Sequence, residues 1–192
     1  MNLLNRVART GAYTLLALAG AAAWAADPTV VTSQSEIAFT SKQMGVPVDG
    51  HFKQWTAQLA FDPKKPETGK VSFTIQTGSA SFGAKETDAE VPKPEWFNVA
   101  KFPQASFQST AIKAVAAGKY EVSGKLVIKG ASKDVVVPVA LTQAGPATTA
   151  TGSFTIKRLD FKIGEGDWSD TSMVANDVVV RFKLSITGMA KL

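Results

Sequence analysis

Along most of this chain the hydrophobic positions repeat every second residue. Val71, Phe73 and Ile75 alternate with Ser72, Thr74 and Gln76, and Val178, Val180, Phe182, Leu184 and Ile186 alternate with Val179, Arg181, Lys183 and Ser185. Tyr120, Val122, Leu126 and Ile128 alternate with Glu121, Ser123, Lys125 and Lys129, with Gly124 in the inward series. A period of two gives each segment one apolar and one polar face, which antiparallel strands require. Further strands are expected over 35–42, 51–61, 105–113, 134–142 and 148–158. Asp62-Pro63, Gly118, Gly130, Gly145-Pro146, Gly164 and Gly166 punctuate them. About eight strands or more at hairpin spacing, with little helical period, predict an all-β barrel or sandwich.

One connection departs from this rhythm. Residues 78–104 hold no clean strand; 84–91 read as a short helix that Pro92 stops. Trp96, Phe97 and Phe102 follow at irregular spacing, and such large apolar groups have to be buried. The open end of a barrel is the available place.

The first 25 residues read as an address. Arg6 and Arg9 precede an apolar run from Gly11 to Ala23, and Ala23-Trp24-Ala25 stands before Ala26-Asp27-Pro28. A basic region, a short apolar stretch and a small-x-small site make a secretory signal, expected to be cleaved after Ala25. The run is shorter than the roughly 20 residues of a membrane span. The expected location is the bacterial periplasm, with the mature domain over 28–192.

Composition then removes function classes. A chain of 192 residues, 45% hydrophobic and 19% charged, fits one globular domain. The formal charge is +5, and two of the arginines lie in the leader, so nucleic acid is not an expected partner. Cysteine is absent and His51 is the one histidine, which excludes thiol chemistry and multi-histidine metal centres. Alternation points His51 outward, and no Gly-x-Ser-x-Gly elbow occurs. The acids Asp160, Glu165, Asp167, Asp170 and Asp177 match no calcium-loop spacing. No catalytic residue, metal or cofactor is therefore expected. Lys113, Lys119, Lys125, Lys129 and Lys133 could form a docking face for anionic lipid or simply guard exposed strands against edge pairing.

The aromatic residues leave two readings open. Phe39, Phe52, Phe61, Phe73, Phe107, Phe154 and Phe182 all fall on expected strands. They fill the barrel as a solid core, or they line a lumen that holds an elongated apolar ligand. Gly124 leaves volume on the inner wall, although a strand glycine often marks a bulge.

Several segments, in order, resemble the YceI-like family of polyisoprenoid-binding proteins. They are Phe39-Thr40-Ser41-Lys42, Val48-Asp49-Gly50-His51-Phe52, Leu59-Ala60-Phe61-Asp62-Pro63 and Val71-Ser72-Phe73-Thr74-Ile75, then Trp96-Phe97-Asn98-Val99 with Phe102-Pro103. Phe107-Gln108-Ser109-Thr110, Gly124-Lys125-Leu126-Val127-Ile128-Lys129-Gly130 and Phe154-Thr155-Ile156-Lys157-Arg158 complete the series. The resemblance implies an extended eight-stranded antiparallel, lipocalin-like barrel capped by a helix-containing connection, with a long hydrophobic cavity. It places Phe39, Phe52, Phe61, Phe73, Ile75, Phe107, Leu126, Ile128, Phe154, Ile156 and Phe182 in the ligand-binding wall, Trp96 and Phe97 at the mouth, and Trp55 as a further lining residue. Where many relatives carry a histidine after Lys42, this chain has Gln43. The function implied is non-catalytic sequestration or carriage of a polyisoprenoid or quinone-like lipid, with transient contact at a membrane surface. The alternatives are a lipid-acting enzyme working in the lumen and an envelope-stress interaction protein with a solid barrel. The sequence leaves open whether the chain is a monomer or a homodimer.

Overall fold

The computed structural model describes residues 28–192; the expected leader lies outside the described residues. The strands are β1 (Thr29–Val30), β2 (Glu36–Gln43), β3 (Val46–Phe52), β4 (Trp55–Ala60), β5 (Lys70–Gln76), β6 (Ala80–Ser81), β7 (Gln104–Ala116), β8 (Lys119–Ile128), β9 (Ala131–Ala144), β10 (Ala147–Lys157) and β11 (Asp177–Thr187). One helix, α1 (Lys85–Glu90), sits in the long connection, where the sequence predicts it. Among the described residues the strands form a single antiparallel sheet in the order β4-β5-β7-β8-β9-β10-β11-β2-β3-β6, with β1 also on β11.

The sheet has to curl. β3 and β4 lie towards opposite ends of this order, yet only Lys53 and Gln54 separate them. Three Cα steps reach no more than about 11 Å, so the two ends of the sheet meet. Loop bonds secure the seam: Lys53 N–H donates to Ser79 O at 3.1 Å, and Gln76 N–H to Gln54 O at 3.0 Å. The result is the expected all-β barrel, with eleven strands in place of eight. Two of the additional strands are two-residue pieces. A third difference is that the strand expected over 51–61 is two strands, because the chain crosses the seam at Lys53–Gln54. Val46–Phe52 instead pairs back on β2 through a tight turn at Met44 (φ 47) and Gly45 (φ 80).

The ladder of the barrel wall is open at the seam, where β4 pairs only with β5, and it parts again on one further side. β9 pairs with β10 only from Val139↔Gly152 to Ala144↔Ala147, and beyond Gly152 the strands part. The chain after β10 closes this side. Phe161, 2% exposed, and Ile163 pack with Leu126, Ile128 and Ile156. The segment 158–176 has little regular structure, and Arg158 holds it. Its buried guanidinium donates from Nε to Ala175 O (3.1 Å), from Nη1 to Ile163 O (2.9 Å) and Gly164 O (3.0 Å), and from Nη2 to Trp168 O and Val174 O (both 2.7 Å). Five donors meet five backbone carbonyls, which is the full donor capacity of an arginine. Burial lowers its proton affinity, but a guanidinium stays charged at neutral pH. Lys129, also buried, ties the β8–β9 turn to the same region through Pro94 O (2.7 Å), Lys162 O (2.6 Å) and Glu165 Oε2 (2.9 Å).

Replacing Arg158 with Met keeps a long side chain but strands carbonyls that water cannot reach, at about 1–3 kcal/mol for each unsatisfied group. Arg158→Met is expected to lose at least about 3 kcal/mol in urea denaturation and to become sensitive to limited proteolysis between Gly164 and Met173. A variant with unchanged protease resistance would show that the segment is held by its apolar contacts instead.

Candidate functional site

A cavity of about 560 Å³ runs through the barrel. Volumes of this order suit small-molecule and lipid sites, and nearly all of the wall is apolar. Its existence depends on where three phenylalanine rings lie. Phe39 faces Gly50 on the neighbouring strand and Phe182 faces Gly152, while Phe107 lies diagonally across from Gly124. A Cβ on Gly50 or Gly124 would fall 2.5 Å from the tip of the Phe39 or Phe107 ring, and one on Gly152 would fall 2.3 Å from the tip of Phe182. The tip of each ring occupies a recess that a glycine provides. The space Gly124 frees is therefore occupied by Phe107, and the gain in volume is at the centre of the lumen.

The inward residues form three clusters rather than one plug. Phe61, Phe73, Phe107, Phe154 and Phe182 pack around a group that includes Tyr120, Leu141, Leu184 and Ile186. Leu126, Ile128 and Ile156 form a second group, against which Ile75, Trp96 and Phe97 pack. Phe39 heads a third with Phe52, Phe82 and Phe97 around it; Phe39 meets Phe82 edge-on at 5.3 Å, and Phe52 meets Phe97 at 6.2 Å. The cavity is thus lined by Phe39, Phe52, Phe61, Phe73, Ile75, Trp96, Phe97, Phe107, Leu126, Ile128, Phe154, Ile156 and Phe182. Trp55 is not in this wall. The break at Lys53–Gln54 resets the strand phase, so Trp55 faces inward with Ala57 and Leu59, but its ring rests on Phe73 at a centroid distance of 6.3 Å. Phe82, Tyr120 and Leu141 also line the cavity; Tyr120 belongs to the inward series of its strand, whereas Phe82 follows β6 in the loop before α1.

The two ends differ. One is closed by Val30, Ile186 and Met189. The other carries Ser41, Gln43, Glu86, Thr87, Glu90, Arg158 and Trp168 in the wall, and exposed Gln43, Glu86 and Trp168 mark it as the mouth. Gln43 therefore stands at the mouth. Trp168 meets Trp96 in a tilted contact at 5.5 Å, and the buried Trp96 Nε1 has no hydrogen-bond partner. Helix α1 is fixed beside the mouth by Asp88, whose carboxylate accepts from Phe82 N–H at 2.6 Å and from Ser81 Oγ at 2.8 Å. The Phe82 amide, then the Ser81 hydroxyl, hold this carboxyl below its ordinary 3.8.

His51 is exposed on the outer face, in a shallow groove with Asp49 and Arg181. The lysine series does not present a common charged face. Lys129 is buried, Lys125 pairs with Asp134 at 2.8 Å, and Lys133 approaches Asp160 at 4.0 Å. Of the five late acids, Asp177 pairs with Lys157 at 3.3 Å and Glu165 with Lys129, while Asp170 accepts from Ser172 N–H and Oγ. These carboxylates serve local structure.

Comparison with known proteins gives a consistent result. A family model described as YceI-like domain matches residues 24–186. The chain is 42% identical to Burkholderia cenocepacia BcnA, whose crystal structure superposes with a TM-score of 0.79 over 81% of this chain and 98% of that one. It is 30% identical over 131 residues to a UPF0312 protein of Pseudomonas savastanoi pv. phaseolicola, covering 65% of this chain and 68% of that protein. A polyisoprenoid binding domain from Saccharophagus degradans superposes with a TM-score of 0.68 over 84% of this chain at 15% identity, a likeness of fold alone.

Gly50→Ala tests the ring seating. Alanine ordinarily improves a strand by about 0.5–1 kcal/mol over glycine. Here it has to push Phe39 off the wall, so a loss of about 1–3 kcal/mol is expected, with reduced uptake of an apolar fluorescent probe. An equally stable variant with full probe capacity would contradict the seating. For Asp88, the depressed carboxyl stabilises the fold above the unfolded-state value near 3.9 and ceases to do so as pH falls through the folded value. The stability gap between wild type and Asp88→Asn is expected to be widest at neutral pH and to narrow below about pH 4. Urea titrations at both pH values read it, and a pH-independent gap would remove Asp88 as the anchor of α1.

Proposed function

The chain belongs to the YceI-like family, and on that premise we propose that it is a non-catalytic periplasmic carrier or reservoir for an isoprenoid lipid. The observation that carries this reading is an apolar lumen of about 560 Å³, open at one end and closed by side chains at the other. At about 30 Å³ for each water-sized group, it accommodates roughly twenty carbons, or about four isoprene units; a longer chain has to fold or leave the mouth. The polyisoprenoid binding of the Saccharophagus degradans domain supports the same ligand class. The leader expected over residues 1–25 supports the location.

The mouth favours an uncharged head group, quinone-like rather than a diphosphate. The charged residues in the described wall are Glu86, Glu90 and Arg158. Both acids oppose an anion, and Arg158 has spent all five donors on carbonyls. The Trp96 indole N–H is a donor that a carbonyl or hydroxyl oxygen can satisfy.

Energetics favour carriage over free release. At about 0.8 kcal/mol per methylene, taking roughly twenty carbons through water costs about 16 kcal/mol. A bilayer interior is as apolar as the cavity, so a bilayer is the donor against which affinity is balanced. Native mass spectrometry of protein purified from its own cells, before and after delipidation, tests the reading. The expected result is a lipid adduct that disappears on delipidation and returns when the stripped protein meets a polyprenol or prenylquinone. Stripped protein that binds neither would refute the carrier function.

A further inference from the structure

Large exposed apolar side chains are not spread evenly over this surface. Met44 is 78% exposed, Val46 63%, Met173 46% and Trp168 37%. These four stand together, whereas Val115, Val136 and Leu192 lie apart on β7, β9 and the chain end. The first two form the tip of the β2–β3 hairpin; the others belong to the segment after β10. The two loops are one rigid unit. Met44 N–H donates to Met173 O at 2.8 Å, Ala175 N–H donates to Lys42 O at 2.9 Å, and Gln43 pairs with Val174 as an isolated bridge. Arg158 grips the second loop through the carbonyls of Trp168, Val174 and Ala175. The exposure of these side chains is therefore built into the frame of the protein.

Their position is as specific as their exposure. Ser41, Gln43, Trp168 and Val174, on the same two loops, line the cavity, so the exposed residues form a rim beside its mouth. The tips themselves, Gln43-Met44-Gly45-Val46-Pro47 and Thr171-Ser172-Met173-Val174, contain no charged residue. Lys42 and Asp170, of opposite sign, flank them.

We propose that this rim docks the mouth of the cavity on a phospholipid bilayer by apolar insertion. The proposal rests on the carrier reading, since the water crossing described above requires the mouth to meet the donor phase directly. A rim of apolar, uncharged tips beside a mouth whose wall charges are Glu86, Glu90 and the fully bonded Arg158 matches the interfacial zone of a bilayer and gives anionic lipid no basic cluster to recognise. The lysines on β7, β8 and β9 take no part.

The test uses delipidated full-length mature protein and vesicles of phosphatidylcholine carrying a fluorescent polyprenol, with a triple variant Met44→Asn, Val46→Thr and Met173→Gln. Asparagine tolerates the left-handed turn at 44, threonine keeps the β-branch at 46, and none of the three residues lines the cavity. Wild-type uptake is expected to rise with vesicle concentration and to change little between low and high salt. The triple variant is expected to take up lipid from vesicles about tenfold more slowly, while binding geraniol supplied from water within about twofold of wild type. Equal vesicle uptake by both proteins overturns the rim, and uptake that is independent of vesicle concentration overturns direct docking. Strong suppression by salt replaces the apolar mode with a charge-led one. Self-association that depends on the rim, without vesicle binding, assigns the surface to a second copy of the chain. Wild type that binds neither geraniol nor polyprenol overturns the carrier reading and the docking with it.

Discussion

Everything this fold offers a ligand depends on how it keeps aromatic rings out of the middle of its own barrel. A small barrel fills its interior with side chains by default, and a wall with this many phenylalanines has ample volume to do so. Here Phe39, Phe107 and Phe182 fold back against glycines at positions 50, 124 and 152. A strand glycine sacrifices about 0.5–1 kcal/mol relative to alanine, and ring-to-backbone contact offsets that loss. The rings still bury their area, but against the sheet rather than across the lumen. An interior can then be apolar throughout and remain open.

An open lumen needs one end that holds and one that admits. At the closed end the stop is ordinary packing by Val30, Ile186 and Met189. At the mouth the demands conflict, because an irregular loop must be rigid without a strand ladder to fix it. Arg158 resolves this by taking five carbonyls on one buried guanidinium. A carboxylate could have balanced the charge but would have organised fewer backbone groups. Lys129 repeats the device on two more carbonyls, with Glu165 as its acid. The same choice shapes the chemistry of the mouth: the cation in its described wall is structural, so an anionic head group meets Glu86 and Glu90 there without a free guanidinium.

Period-two patterning made the long strands legible, from Lys70–Gln76 to Asp177–Thr187, because each has one face on an apolar lumen. It failed at Val46–Phe52. Val46, Val48 and Phe52 keep the alternation, but Gly50 leaves a gap in the inward series, Pro47 and Asp49 read as turn residues, and pairing with β2 sets the strand. The break at Lys53–Gln54 was equally hidden, since no turn residue marks a seam that exists only when the sheet curls. Trp55 shows the consequence, as its phase follows the break and its ring ends on Phe73. The lining phenylalanines were visible as an inward series, but their seating was not, because it depends on which glycine stands across the ladder. Arg158 left no signal at all. An arginine at the end of a strand reads as a solvated charge until the loop that wraps it is known.

Selectivity in such a protein has to come from the ends of the ligand rather than from its length. When a chain leaves a bilayer for this lumen, it exchanges one apolar surrounding for another, so most of the roughly 0.8 kcal/mol per methylene cancels between the two states. What remains is the fit of the chain among seated rings and the contacts of the head group at the mouth. These are terms of a few kcal/mol, comparable to one hydrogen bond to a buried indole or one repelled charge. A balance that fine allows both loading and release. A lumen filled by its own phenylalanines would forfeit loading, and a mouth with an unspent guanidinium would hold a phosphate head too firmly to release it. The glycine recesses and the saturated arginine therefore act on the same quantity by different means: the first set how much chain can enter, the second which head can follow it.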